Sequence, residues 1–302
     1  LNLVSTASVL IASEKPDNPA AGSAAGPRYS LLLSTDPAMI EAAQRLRYDV
    51  FTSTPGFTLP TADGRRRDVD RFDEYCDHLL VRDDDSGELV GCYRMLAPAG
   101  AIAAGGLYTE TEFDLSAFDP LRPSLVEMGR AVVRDGHRNG SVVLLMWAGI
   151  LAYLDHSGYD YVTGCVSVPI GGEPDSELDA AIDAGPPGSL LRGVRDLVLA
   201  RHGAPPELRV HPYRPVCIDG LALDDIAAPA RTVLPPLMRG YLRLGAQVCG
   251  EPAHDPDFGV GDFCALLDKR RADTRYLRRL RSVAMAAEMA AEMAAEMAGG
   301  GQ

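Results

Sequence analysis

The stretch SLVEMGRAVVRDGHRNGSVVLLMWAGILAYLDHSGYDYVTGCVSVP (124–169) decides the fold class. Residues 124–133 are rich in Val, Leu and Met, which suit a half-buried pleated surface, and predict a strand. The segment Arg134-Asp135-Gly136-His137-Arg138-Asn139-Gly140 is polar and glycine-containing and reads as a turn. From about Ser141 to His156 the chain is apolar for too long to be a strand, so it predicts a buried helix, and a further strand follows at 160–168.

Upstream, RYSLLLS (28–34) reads as a strand, and Thr35 or Asp36 caps a helix that opens on Pro37 and runs to about Phe51. Ser53–Arg67 is loop-like. Strands at 76–83 and 88–96, joined by the acidic turn Asp84-Asp85-Ser86-Gly87, form a hairpin. A Gly/Ala-rich connection leads to residue 124. The order strand, helix, hairpin, strand, glycine loop, helix, strand defines an α/β (α+β) fold, a mixed sheet flanked by helices. Beyond Pro169 the pattern predicts helices near 175–184, 189–202 and 234–244 and short strands near 207–213 and 262–267. Residues 1–27 read as a flexible leader, 28–268 as the folded domain, and 269–302 as a basic run followed by a helical AAEM-repeat tail.

Composition narrows the function. Twenty-nine Lys+Arg against 42 Asp+Glu make the 302-residue chain acidic, which excludes nucleic-acid binding through a general basic surface. The apolar run Val142–Leu154 is shorter than the about 20 residues of a membrane-spanning helix, and the expected location is the cytoplasm. The six cysteines lack CxxC spacing and read as reduced core thiols. Only Lys15 and Lys269 are lysines, so nearly every positive charge is a guanidinium, suited to clamping carboxylate or phosphate.

The informative anomaly is charge on apolar faces. Arg47 lies beside the helix stripe of Ile40, Ala43 and Val50, and Arg94 shares a strand face with Val90, Cys92 and Leu96. Glu127 shares the face of Leu125, and Arg130 follows on the opposite face unless a bulge at Met128-Gly129 turns it. Charges so placed need partners, and Asp68, Asp70, Asp73 and Asp77 lie nearby in sequence. Three readings fit: a structural Arg–Asp network, a cleft that grips a zwitterion, or a metal site using Asp70, Asp73, Asp77 and His78. No recognised metal spacing appears, so no metal is expected. The 134–140 turn, opening a helix, suits a phosphate.

Taken together, RLRYDVF (45–51), DVDRFDEYCDHLLV (68–81), ELVGCYRML (88–96), VEMGR (126–130), LLMWAGILAYL (144–154), YDYVTGCVSVP (159–169) and LPPLMRGYLRLGA (234–246) resemble the ornithine N-acyltransferases of bacterial ornithine-lipid synthesis, relatives of the GNAT superfamily and of acyl-homoserine-lactone synthases. The resemblance implies a GNAT-like sheet splayed between its fourth and fifth strands, here 124–133 and 160–168. It implies transfer of a (3-hydroxy)fatty acyl group from acyl carrier protein to the α-amine of ornithine or a similar amino acid. No cofactor beyond the thioester substrate is implied. It marks Arg47, Phe51, Asp70, Asp73, Arg94, Glu127 and Arg130 as active-site positions.

On that template Glu127 is the expected general base and Arg130 holds the acid network. A backbone N–H freed near Met128-Gly129 would polarise the thioester carbonyl. Arg47 and Arg94 would hold the acceptor carboxylate, with Phe51, Asp70 and Asp73 around it. Arg134, His137, Arg138, Asn139 and Gly140 would meet the donor, and Trp147 the acyl chain. Arg134, Arg138 and the run Lys269–Arg281 are expected to face the acidic carrier protein, or the run to touch anionic membrane. Alternatives are an acyl-CoA or other-amine acyltransferase, a lactone synthase, or a non-catalytic acyl-binding protein.

Overall fold

The computed structural model describes residues 8–13, for the backbone, and 29–54, 64–138, 140–171, 185–275 and 277–282. Helix α1 (Pro37–Ser53) starts where Asp36 Oδ1 accepts from the Ala38 and Met39 amides, at 2.8 and 3.3 Å, with Pro37 at the first helical position. Strands β1 (Ser8–Ser13), β2 (Tyr29–Ser34), β3 (Asp77–Asp83) and β4 (Leu89–Leu96) are followed by α2 (Pro98–Ala104) and the short β5 (Phe113–Asp114). Then come β6 (Leu125–Val133), α3 (Gly140–Ser157), β7 (Tyr161–Pro169), α4 (Ser189–His202), and the short strands β8 (His211–Pro212), β9 (Cys217–Ile218) and β10 (Leu221–Ala222). Helix α5 (Pro236–Leu244), β11 (Gln247–Val248), β12 (Ala253–Asp255) and β13 (Val260–Asp268) close the described fold.

One nine-stranded sheet runs β1-β2-β3-β4-β6-β7-β13-β11, with β12 also on β13. Every neighbour in it is antiparallel except β6 and β7. That parallel pair is joined for only three residue pairs, Leu125–Glu127 against Tyr161–Thr163, and then parts. This is the splay of the GNAT-like sheet. The α3 face buries Tyr93, Met95, Val126 and Met128 against Trp147, Ile150 and Leu154. The opposite face buries Leu32, Leu80, Cys92 and Val132 against Ala43, Leu46 and Val50 of α1.

Several expectations are corrected. The leader was expected to end at residue 27, but the apolar run Ser8–Ser13 adds a strand to β2, because a sheet edge offers unpaired backbone groups to any extended segment. The connection after β4 contains α2, whose Pro98 start and alanines favour helix. The strand expected near 207–213 reduces to a 3-10 turn, Pro206–Leu208, and the two-residue β8, because prolines interrupt it. The boundary at 268 is too early. Ala272, Leu277 and Leu280 pack into the α3-side core, an apolar stripe hidden among arginines. The helix expected near 175–184, the AAEM tail and Asn139 lie outside the described residues.

Candidate active site

Strand β6 builds the site through one extra residue. Against β4 its register passes from Cys92↔Val132 to Arg94↔Gly129, so β6 carries a bulge at Arg130-Ala131. Arg130 takes a left-handed backbone there, φ 54°. An unbroken strand would send Arg130 to the α3 face; the bulge, one residue beyond the expected place, turns it onto the face of Arg94 and Glu127. Aromatic rings hold the guanidinium in place, with Tyr108 and Phe258 each 4.9 Å away.

Arg47, Arg94 and Arg130 meet Asp68, Asp70 and Asp73 in a neutral, buried network. Arg47 Nε donates to Asp68 Oδ2 at 2.7 Å and its Nη2 to Asp73 Oδ2 at 2.8 Å. Arg94 Nη1 donates to Asp70 Oδ1 at 2.5 Å and Asp73 Oδ1 at 3.1 Å. Arg130 Nη2 donates to Asp70 Oδ2 at 3.2 Å, and its Nε lies 3.1 Å from Asp68 Oδ2. Burial alone would raise the carboxyls of Asp70 and Asp73, yet the guanidiniums outweigh it and hold both below the usual range. With these aspartates so paired, their chemistry is that of counter-ions to arginine.

Glu127 is nearly enclosed. Its Oε2 accepts from the Tyr108 amide at 2.6 Å, and its Oε1 from the Thr109 amide and hydroxyl at 2.7 and 2.5 Å. Burial pushes its carboxyl up despite those donors. Glu127, Arg94, Arg130 and Phe51 line one cavity of about 250 Å3, which opens where β6 and β7 separate. Arg47 does not line it: the side chain is 0% exposed, wedged between Asp68 and Asp73. Its expected contact with the acceptor carboxylate is therefore replaced by a supporting position behind Asp73.

The remaining expected residues divide. Trp147 packs edge-to-face on Tyr241 at 5.2 Å and lines a small neighbouring cavity of about 30 Å3. Met128 and Tyr241 border both spaces. Gly164 makes the neighbourhood possible, since a Cβ there would lie 2.2 Å from the Met128 carbonyl oxygen. Arg134, His137 and Arg138 sit on the β6–α3 turn and Gly140 begins α3, none of them lining either cavity. His137 Nδ1 is 2.9 Å from the Tyr29 hydroxyl, and exposed Arg138 pairs with Asp135. Sequence reasoning missed Tyr108, Cys165, Tyr241, Phe258 and Asp262, all in the cavity wall. Asp262 alone carried a legible signal, a carboxylate inside the apolar run VGDFCALL.

A splayed mixed sheet, a bulged strand at the splay and a largely apolar cavity with a few charged side chains define an acyltransferase of the GNAT class; the family model described as "Acetyltransferase (GNAT) domain" matches residues 46–148. The chain is 32% identical over 258 residues to an L-ornithine N(alpha)-acyltransferase of Brucella abortus, covering 81% of this chain and 86% of that one. It is 34% identical over 254 residues to the Rhizobium meliloti protein of the same name, covering 81% of each. A solved N-acyl amino acid synthase from uncultured soil microbes aligns with a TM-score of 0.48 at 11% identity, over 82% of this chain and 93% of that one. This chain belongs to the L-ornithine N(alpha)-acyltransferase family.

Proposed function

We propose that this chain transfers a (3-hydroxy)fatty acyl group from the thioester of acyl carrier protein to the α-amine of ornithine, giving a lyso-ornithine-type lipid. The observation that carries this reading is the cavity at the parting of β6 and β7, where an unpaired strand edge borders charged side chains. A C–N bond forms and the C–S bond breaks. Glu127 takes one proton from the α-ammonium, directly or through water, so that the neutral amine attacks; of the two protons the nitrogen loses in all, one ends on the departing thiol and the other passes to solvent. Burial raises its carboxyl pKa, which makes the carboxylate a stronger base. Backbone N–H groups of β6 beyond Glu127, released from β7, polarise the thioester carbonyl. Arg94 and Arg130 steer the acceptor carboxylate, while Arg47 and Asp73 hold Arg94 in place. The acyl chain runs past Met128 and Tyr241 toward Trp147.

The β6–α3 turn with Arg134, His137, Arg138, Asn139 and Gly140 is the proposed contact for the donor's phosphate arm. No resident cofactor is needed by this chemistry. Exposed Arg275, Arg278 and Arg279 supplement that surface for an acidic carrier protein or an anionic membrane. Among the described residues no helix is long and apolar enough to cross a membrane.

The test is mass spectrometry of products from purified chain, 3-hydroxyacyl carrier protein and single amino acids. N-acylornithine is expected, with Glu127→Gln lowering kcat by about 10²- to 10⁴-fold. Equal turnover on acyl-CoA would overturn the carrier-protein assignment, and full turnover by Glu127→Gln the base.

A further inference from the structure

The cavity has a second charged wall, and among the described residues no cation forms an ion pair with it. Asp262 of β13 lines the cavity opposite Ser167 of β7, whose side chain hydrogen-bonds its carboxyl. Behind it stands Glu112, 4% exposed, just past the 3-10 turn Thr109–Thr111. Glu112 and Asp262 hydrogen-bond each other and Glu112 also meets the Tyr108 hydroxyl, but only loosely: among the described residues no donor in good geometry reaches either oxygen of Glu112 or Oδ1 of Asp262. Glu112, Asp262 and Cys165 bring ligand atoms within 4.8 Å of one another. A third buried carboxylate, Asp255, accepts from the Asp257 and Phe258 amides at 2.8 and 3.2 Å and from the Tyr108 hydroxyl at 3.4 Å. Among the described residues no Lys, Arg or His forms an ion pair with any of these three carboxylates.

Orphaned buried acceptors cost about 1–3 kcal/mol each, and native proteins retain few without a use. Burial, then the neighbouring carboxylates, raise the Glu112 carboxyl to about 9 and that of Asp262 to about 6. The pair therefore holds one proton and one negative charge near neutral pH. What completes it is a compact cation with several donors, which describes an alkylammonium. Burial also keeps the Cys165 thiol protonated, so it is a poor metal ligand.

A short chain of contacts also links the two acids. Glu127 Oε1 is 2.5 Å from Thr109 Oγ1, which lies 3.6 Å from Cys165 Sγ, itself within 4.8 Å of the acid pair. The α- and side-chain nitrogens of a five-carbon diamino acid are at most roughly 6 Å apart. One amine at Glu127 and a second at Asp262 suits such a molecule.

We infer that Asp262, backed by Glu112, seats the side-chain ammonium of the acceptor and selects a diamino acid over its monoamino counterpart. This rests on the amine-acylating reading above and adds the residues that choose the amine's owner. The experiment compares ornithine with 2-aminopentanoate, which lacks only the side-chain amine, by calorimetric binding and by turnover, in wild type, Asp262→Asn and Glu112→Gln. Expected is at least about a tenfold collapse of the ornithine preference in Asp262→Asn, carried by KM and binding with little change in kcat, and a smaller loss in Glu112→Gln, which keeps the uncharged form that Glu112 has near neutral pH. In wild type, ornithine binding should also tighten from pH 5 to 7 as Asp262 ionises among Glu112, Asp255, Cys165, Tyr108 and Arg130, while 2-aminopentanoate binding should not. That readout needs no variant to fold.

A parallel loss for both amino acids, an unchanged preference with a flat pH response, or a stoichiometric metal ion in the purified chain would each overturn the inference. If wild type forms no acylornithine, the proposed reaction fails, whereas the binding preference still reports on the ammonium seat.

Discussion

Two charged clusters border the cavity, one through Arg94 and Arg130 and the other through Asp262, and they solve burial in opposite ways. On one, the three guanidiniums of Arg47, Arg94 and Arg130 match the three carboxylates of Asp68, Asp70 and Asp73, so the chain neutralises itself. On the other, Glu112, Asp255 and Asp262 gather without a committed cation. A matched network depresses carboxyl pKa values and fixes geometry; an unmatched one raises them and waits for a ligand. Buried charge by itself thus says little about function, and its local balance says much.

The hardest way to break the comparison is to remove one partner from the matched wall. Arg47→Ala leaves Asp68 with Arg130 alone and Asp73 with Arg94 alone, one guanidinium short of balance, and urea denaturation should show a loss of about 3–5 kcal/mol. A smaller effect is expected at the hinge between the walls. Gly164→Ala drives a Cβ to 2.2 Å from the Met128 carbonyl, so it should cost about 1–3 kcal/mol by the same measurement and slow acyl transfer further by disturbing the β6–β7 gap.

The smallest effect has the opposite sign. Because the folded pKa of Glu112 is raised to about 9, its contribution to stability is full below the unfolded carboxyl value and is lost as pH rises through the folded one. Glu112→Gln removes that loss. Thermal unfolding at pH 8 should show the ligand-free variant melting above wild type, with a smaller gain at pH 5. Equal melting at both pH values would mean that the second wall is not strained.

Much of this was legible in the linear sequence, for identifiable reasons. The hairpin of β3 and β4 and the strand–turn–helix–strand unit from β6 to β7 follow from apolar runs broken by turn residues, which act locally. Arg94 and Glu127 stood out because a charge inside an apolar strand must find a partner, whatever the fold. Arg47 was found by the same logic, yet its role was misread: helix periodicity gives the face but not what stands between that face and the cavity. The α2 helix and the C-terminal stripe Ala272, Leu277 and Leu280 escaped because weakly patterned alanines and arginine-rich runs conceal their buried positions.

Sequence alone therefore determined the element order, the family and the set of charges that had to be buried together, since periodicity and composition are properties of the chain itself. Tertiary structure alone decided which charges cancel. The bulge that swings Arg130 across the strand depends on the register of β6 against β4, about 40 residues away, and the loop that carries Tyr108, Thr109 and Glu112 beside β13 depends on contacts between segments more than a hundred residues apart. Such contacts are set by packing and leave no periodic trace in the residues they join.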